Sequence, residues 1–233
     1  MEVELKYKHV FFDLDGTLWD IHRNAELTLK SMWLQFNLNT ESWTSFYQAY
    51  LHHNHRVWAM YRQGTMTKEE LRTARFSRSM DDAGIGYSPE LLELFSQAFV
   101  NQCPRQPHLI SGALEILNYL RDRGYVMHII TNGFKEIQGI KMDGSGLTEF
   151  FVHNINSEDV GVRKPDPKIF QYAFDLAGAT ANESVMIGDD WDADILGARN
   201  VGMDQVFLKL DQQRHNVHPT FTIENLVELK NIL

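Results

Sequence analysis

The sequence predicts an α/β protein: a parallel sheet covered by helices on both faces, with a helical segment inserted after the first strand. Short apolar runs rich in Val, Ile and Phe alternate with stretches of helical length. Most of those helical stretches close on a glycine, the usual stop. The stretch from Ile21 to about Gln102 shows helical periods and no convincing strand.

Strands are expected at Val10–Leu14, Tyr125–Ile130, Phe150–Ile155, Val185–Ile187 and Val206–Leu210. Between them, Ser111–Gly124, Phe134–Met142, Pro167–Gly178 and Trp191–Gly202 read as helices. A last helix is expected at Ile223–Leu233, on the spacing of Ile223, Leu226, Val227 and Leu229. In the inserted segment, Leu27, Leu29, Met32, Trp33 and Phe36, then Trp43, Phe46, Tyr47 and Tyr50, recur at helical intervals. Thr67-Lys68-Glu69-Glu70 has the form of a capping box, and Ser88-Pro89 that of an N-cap followed by proline at the first helical position. Residues 1–18 and 104–233 are therefore expected to form the sheet domain, and residues 19–103 a smaller helical one. The connections fall at Trp19–Arg23 and at Cys103–His108, where two prolines break the pattern.

The 233 residues carry 22 Lys+Arg against 31 Asp+Glu, a formal charge of −9, with 43% hydrophobic residues and one cysteine. That length can close a core without staples, and the composition is that of a globular chain. The acidic balance argues against a nucleic acid polymer or an anionic membrane as partner, because no cationic excess exists to displace counterions. A small phosphorylated molecule is not excluded. Cys103 cannot form an intrachain disulfide, the N-terminal Met1–Lys6 has no long apolar run, and no span of about 18 apolar residues occurs. The expectation is a cytoplasmic protein, a monomer or a homodimer, that does not enter a membrane.

Polar groups gather at four strand ends. The first strand runs into Asp13-Leu14-Asp15-Gly16-Thr17, the second into Thr131-Asn132-Gly133. The third is followed by Gly161-Val162-Arg163-Lys164-Pro165-Asp166-Pro167, and the fourth by Gly188-Asp189-Asp190-Trp191-Asp192-Ala193-Asp194. In open α/β sheets, ligands bind outside the carboxyl ends of the strands. Hydroxyl, amide and backbone N–H groups at Thr131, Asn132 and Gly133 suit phosphate oxygens. Lys164 can balance a phosphoryl group and a carboxylate. Each motif alone is also an ordinary turn; together they mark one site. The clustered acids after the fourth strand need a cation or a helix start, and N-capping accounts for Asp192. A calcium loop fails, because Ile195 stands where the sharp turn needs glycine and Val201 where an acid should close it. Magnesium fits, since it needs few protein carboxylates and accepts phosphate oxygens.

These four motifs, in this order, closely resemble those of the haloacid dehalogenase superfamily, over essentially the whole chain. The resemblance implies a Rossmann-like core with an inserted helical cap that closes over the site. It implies Asp13 as nucleophile, Asp15 as general acid/base, Thr131 as phosphate-binding residue and Lys164 as the lysine of the site. It further implies Mg2+ held by Asp13, Asp189 and the carbonyl of Asp15, with Asp190 and Asp194 behind them. The intact Asp-Leu-Asp favours a phosphomonoesterase over a 2-haloacid dehalogenase, because a halide leaving group needs no proton.

Within the superfamily the chain looks most like the pyrimidine 5′-nucleotidase branch, through Asn54, Trp58, Tyr61, Gly64 and Arg75-Phe76 and through Ile130-Thr131-Asn132-Gly133-Phe134. This implies a nucleoside monophosphate as substrate, touched by Trp19, Asn54, Trp58 and Arg75. A sugar-phosphate phosphatase or phosphomutase is the alternative. His52, His53 and His55 lack the i, i+4 pairing of a zinc helix and read as a solvated face. Gly144-Ser145-Gly146 is no dinucleotide fingerprint, and no Gly-Lys-Ser/Thr occurs.

Overall fold

The computed structural model describes residues 6–209 and 218–233, so Met1–Leu5 and the expected strand end Leu210 lie outside the described residues. The chain divides into two compact units, Met1–Ile21 with Pro107–Leu233, and His22–Gln106. Each crossing lies three residues beyond the bound expected from sequence, so Trp19 belongs to the first unit.

The first unit is built on strands β1 (His9–Phe12), β2 (Val126–Thr131), β3 (His153–Asn156), β4 (Ser184–Gly188), β5 (Asp204–Leu208) and β6 (Phe221–Ile223), in the order β3-β2-β1-β4-β5-β6. Every pairing is parallel. Strand β1 is central, and its Val10, Phe11 and Phe12 are fully buried, as a strand covered on both faces requires. The chain leaves β1 toward β2 on one side and returns through β4 on the other. That reversal opens a crevice at the carboxyl ends of β1 and β4, the position where such sheets bind ligands.

The α-helices among the described residues are α1 (Ile21–Gln35), α2 (Trp43–Arg62), α3 (Lys68–Asp82), α4 (Pro89–Gln102), α5 (Ala113–Asp122), α6 (Lys135–Gly144), α7 (Ser157–Val160), α8 (Pro167–Ala177) and α9 (Gly197–Asn200). Helix α8 starts on the Asp166 cap with Pro167 inside it and ends on Gly178. Its Ile169, Phe170, Ala173 and Phe174 meet Phe11, Ile130, Ile155 and Met186 from four strands in one core. Burying one such aliphatic or aromatic side chain contributes about 1.5–3 kcal/mol. Helix α5 buries Ile116, Leu117 and Leu120.

Three expectations change. The segment expected as a strand from Phe150 begins at His153, because Thr148–Phe150 forms a 3-10 turn first. The segment expected as a helix from Ile223 is instead the end of β6 and a 3-10 helix, Leu226–Asn231. Asn225 and Glu228 cap it reciprocally, and i to i+3 bonds such as Ile232 N–H to Leu229 O (3.0 Å) set the tighter pitch. The Trp191–Gly202 helix opens as a π-helical turn, Trp191–Leu196, before α9.

The second unit is helical. Trp33, Phe46, Tyr50, Phe76, Phe95 and Phe99 form its aromatic interior, with Phe76 edge-on to Phe95 and Phe99 at 5.2 Å each. The Thr67/Glu70 capping box and the Ser88 cap are both formed. His53 departs from the expected solvated face: its Nε2 lies 2.7 Å from Asp82 and ties α2 to α3.

Candidate active site

Asp13 follows directly on β1, and its N–H donates to Ile187 O on β4 (2.9 Å), which fixes it at the crevice. Gly16 turns the chain with φ at +97°, and a Cβ there would run into the Asp189 carboxylate. The turn thereby brings Thr17 Oγ1 to Asp189 Oδ1 at 2.8 Å. After β4, Asp190 Oδ1 accepts from the N–H groups of Asp192 (3.0 Å) and Ala193 (2.9 Å) and caps the π-helical turn. The capping side chain is Asp190, and Asp192 lies exposed in the solvated first turn. The wider turn, with Ile195 N–H reaching Asp190 O, swings Asp194 inward.

Lys164 joins the acids. Its Nζ lies 2.7 Å from Asp13 Oδ1 and 2.6 Å from Asp194 Oδ1, and all three side chains are buried. Asp13, Asp189 and Asp194 each offer a carboxylate oxygen within 4.8 Å of the others. Burial raises the Asp13 carboxyl, Lys164 opposing and Asp15 adding to the rise. Burial, then Asp13 and Asp194, hold Asp189 well above the usual carboxylate range. Burial, against the pull of Lys164, lifts Asp194 to about 7. Burial disfavours the Lys164 ammonium, yet the two carboxylates outweigh it and its pKa is raised. Three carboxylates against one ammonium leave two negative charges uncompensated when all are ionised. An all-oxygen donor set with that charge suits a hard divalent cation. Asp194 has both oxygens engaged, Oδ1 by Lys164 and Oδ2 by the Asp190 N–H (3.1 Å), so it stands behind Asp13 and Asp189.

Thr131 ends β2 with its Oγ1 accepting from the Gly133 N–H (3.1 Å) and from Gln138 Nε2 (2.7 Å). With both lone pairs used, the hydroxyl can act toward a further group only as a donor. Asn132 corrects the sequence reading. Its side chain does not face a phosphate; Nδ2 donates to Lys164 O (3.0 Å) and Oδ1 accepts from Lys164 N–H (2.8 Å). Gly133 is held by Asn156 Nδ2, which donates to its carbonyl at 2.7 Å. Asp15 is gripped at both oxygens, Oδ1 by Lys141 Nζ (2.6 Å) and Oδ2 by Gln138 Nε2 (3.0 Å).

Gln138 and Lys141 were not among the expected site residues. The sequence held no signal for them: the apolar Ile137 and Ile140 lie off the buried face of α6, which Gln138 and Lys141 share with Met142. The expected substrate contacts also change. Trp19 is fully buried in the sheet unit, its ring 4.6 Å from Lys141 Nζ, and it is not part of the helical insertion. Arg75 is interior to the helical unit, its guanidinium 4.8 Å from the centre of the Phe76 ring and 4.6 Å from that of Phe99. Burial lowers its pKa, although the group stays cationic. Asn54 and Trp58 are half-buried on α2, with Trp58 edge-on to Tyr61 at 5.7 Å.

Comparison with known proteins agrees with this geometry. A model of the haloacid dehalogenase-like hydrolases matches residues 7–202. The chain belongs to that family and is, as its members are, a hydrolase. It is 32% identical over 232 residues to the pyrimidine 5′-nucleotidase YjjG of Escherichia coli (strain K12), covering 98% of this chain and 99% of that one. It is 31% identical over 202 residues to a glyceraldehyde 3-phosphate phosphatase of Pyrococcus abyssi, over 87% of this chain and 81% of that one. Among solved structures, the putative HAD-hydrolase YfnB of Bacillus subtilis, bound to magnesium, superposes with a TM-score of 0.85 at 28% identity, over 97% of this chain and 98% of that one. No described helix is long and apolar enough to cross a membrane.

Proposed function

We propose that this chain is a magnesium-dependent phosphomonoesterase acting on nucleoside 5′-monophosphates, pyrimidine ones favoured, through an aspartyl-phosphate on Asp13. The observation that carries the reading is the division of labour between two carboxylates. Asp13 lies against Lys164 among the clustered acids, while Asp15 is held apart by Lys141 and Gln138.

An oxygen of Asp13 attacks phosphorus, and the bond from phosphorus to the ester oxygen breaks. Asp15 gives its proton to that leaving oxygen, and the alcohol departs. Water then attacks the phosphorus of the acyl phosphate while Asp15 takes its proton; the bond to Asp13 breaks and inorganic phosphate leaves. Lys164 and the Thr131 hydroxyl hold phosphoryl oxygens throughout. Mg2+, carried by Asp13, Asp189 and the Asp15 carbonyl, supplies charge neutralisation and orientation of the phosphoryl group when bound. The likeness to the Escherichia coli nucleotidase over nearly the full length of both chains supports the nucleotide substrate.

A sugar-phosphate substrate is the second reading, supported by the likeness to the glyceraldehyde 3-phosphate phosphatase. Phosphate release from a panel of nucleoside monophosphates and sugar phosphates, with magnesium and with chelator, separates the two. Release strongest on dUMP, UMP or dTMP and abolished by chelator is the expected result. Release confined to sugar phosphates discards the nucleotide assignment and keeps the phosphatase chemistry. No release from any ester discards both.

A further inference from the structure

We propose that Gln138 and Lys141 are positioning residues that aim the Asp15 carboxyl at the leaving oxygen and the Thr131 hydroxyl at the phosphoryl group. The proposal rests on the acid/base reading of Asp15 given above.

The two residues stand one turn apart on α6, on the same face. Both are buried, Gln138 at 1% and Lys141 at 7% exposure; Gln138 Oε1 has no hydrogen-bond partner among the described residues, and the bonded ends are the donors Gln138 Nε2 and Lys141 Nζ. Those ends converge on the site. Lys141 Nζ reaches Asp15 Oδ1 at 2.6 Å, and the buried Trp19 ring beneath it, 4.6 Å away, restricts where the ammonium can sit. Gln138 Nε2 has two protons and two acceptors: Asp15 Oδ2 at 3.0 Å and Thr131 Oγ1 at 2.7 Å. One amide nitrogen thus links the acid/base group to the phosphate-binding hydroxyl. It can enter only because residue 133 is glycine; a Cβ there would run into the Gln138 amide.

A half-buried ion pair and a buried amide give little net stability, since apolar side chains of equal volume would pack as well. Their value lies in geometry. With one oxygen held by Lys141 and the other by Gln138, the plane of the Asp15 carboxyl is set before substrate arrives. The alternative is a merely structural pair that anchors α6 to the sheet.

The two roles differ in their dependence on the leaving group. An alkoxide leaving from a nucleoside monophosphate needs a proton, whereas p-nitrophenolate leaves without one. Because kcat/KM reports only the steps through ester cleavage, it isolates that need. Lys141→Met is expected to lower kcat/KM on the nucleotide by about 100-fold, the lower end of a general-acid contribution. On p-nitrophenyl phosphate the loss stays below about tenfold, and Lys141→Arg recovers part of the nucleotide activity. Gln138→Met removes both donors, so it is expected to lower kcat/KM on both esters through Thr131 and by at least about tenfold more on the nucleotide through Asp15, and it carries the test if Lys141→Met does not fold. Asp15→Asn is the reference. Selective loss in Asp15→Asn with uniform loss in the other variants overturns the positioning role and leaves the acid assignment standing. Uniform loss in Asp15→Asn overturns the acid assignment, and the positioning role with it.

Discussion

Asn132 clasps the backbone of Lys164 with both ends of its side-chain amide, donating to the carbonyl at 3.0 Å and accepting from the N–H at 2.8 Å. The residue after β2 thereby fixes the residue that pairs with Asp13, across a separation of 32 positions in sequence. Neither bond involves a substrate group. Both set where the Lys164 ammonium emerges.

Asn132→Ala is accordingly expected to act on the chemistry more than on affinity. Two buried backbone groups lose their partners, which costs about 1–3 kcal/mol each. A displaced Lys164 weakens transition-state stabilisation, so kcat falls by at least about tenfold while KM changes less. Steady-state kinetics on the best nucleotide checks this. A raised KM at unchanged kcat would return Asn132 to the role of a phosphate ligand.

The uncompensated charge around Asp189 gives a prediction about stability. Without metal, burial first raises the carboxyl pKa of Asp13, Asp189 and Asp194, and repulsion within the cluster adds to the rise at Asp189 and Asp194. Asp189→Asn removes one of those charges, so the metal-free variant is expected to melt above the metal-free wild type. Adding magnesium raises the wild-type Tm by mass action and leaves the variant nearly unmoved. Thermal melts with chelator and with magnesium test it. An equal magnesium response in both proteins would contradict the metal assignment.

A column of imidazoles crosses the sheet below the site. His128 stacks on His9 (centroids 5.4 Å) and His153 (5.3 Å), and also on Phe11 (4.8 Å). Burial first, then His9 and His153, lower the His128 pKa from 6.5 to about 4. The unfolded chain therefore binds a proton in that window that the native state refuses. This contribution to stability is complete above pH 6.5 and is lost as pH falls toward about 4. Urea midpoints across that range are expected to fall more steeply for the wild type than for His128→Gln. Parallel pH profiles would contradict it.

The fold was legible because a buried parallel sheet writes itself as short apolar runs: Val10, Phe11 and Phe12 could hardly be read otherwise. The four strand-end motifs were legible because each is contiguous in sequence. Gln138 and Lys141 were not, because their meaning depends on a contact with Asp15 made 123 and 126 positions away. Asn132 was misread for the same reason, since an amide beside a glycine gives no sign of which partner it will find. Trp19 and Arg75 read as substrate contacts only through the family resemblance, and both are interior, Trp19 against Lys141 and Arg75 beside Phe76 and Phe99. At the C-terminal end, Leu226 and Leu229 satisfy a 3-10 pitch as well as an α one, and β6 is only three residues long.

The central claim is that Asp13 carries the phosphoryl group. Acid-quenched turnover of a nucleoside monophosphate bearing radiolabelled phosphate, followed by peptide mapping, addresses it most directly. The expected result is magnesium-dependent label on the peptide that contains Asp13, and neither label nor phosphate release from a folded Asp13→Asn variant. Undiminished phosphate release by that variant would contradict the account.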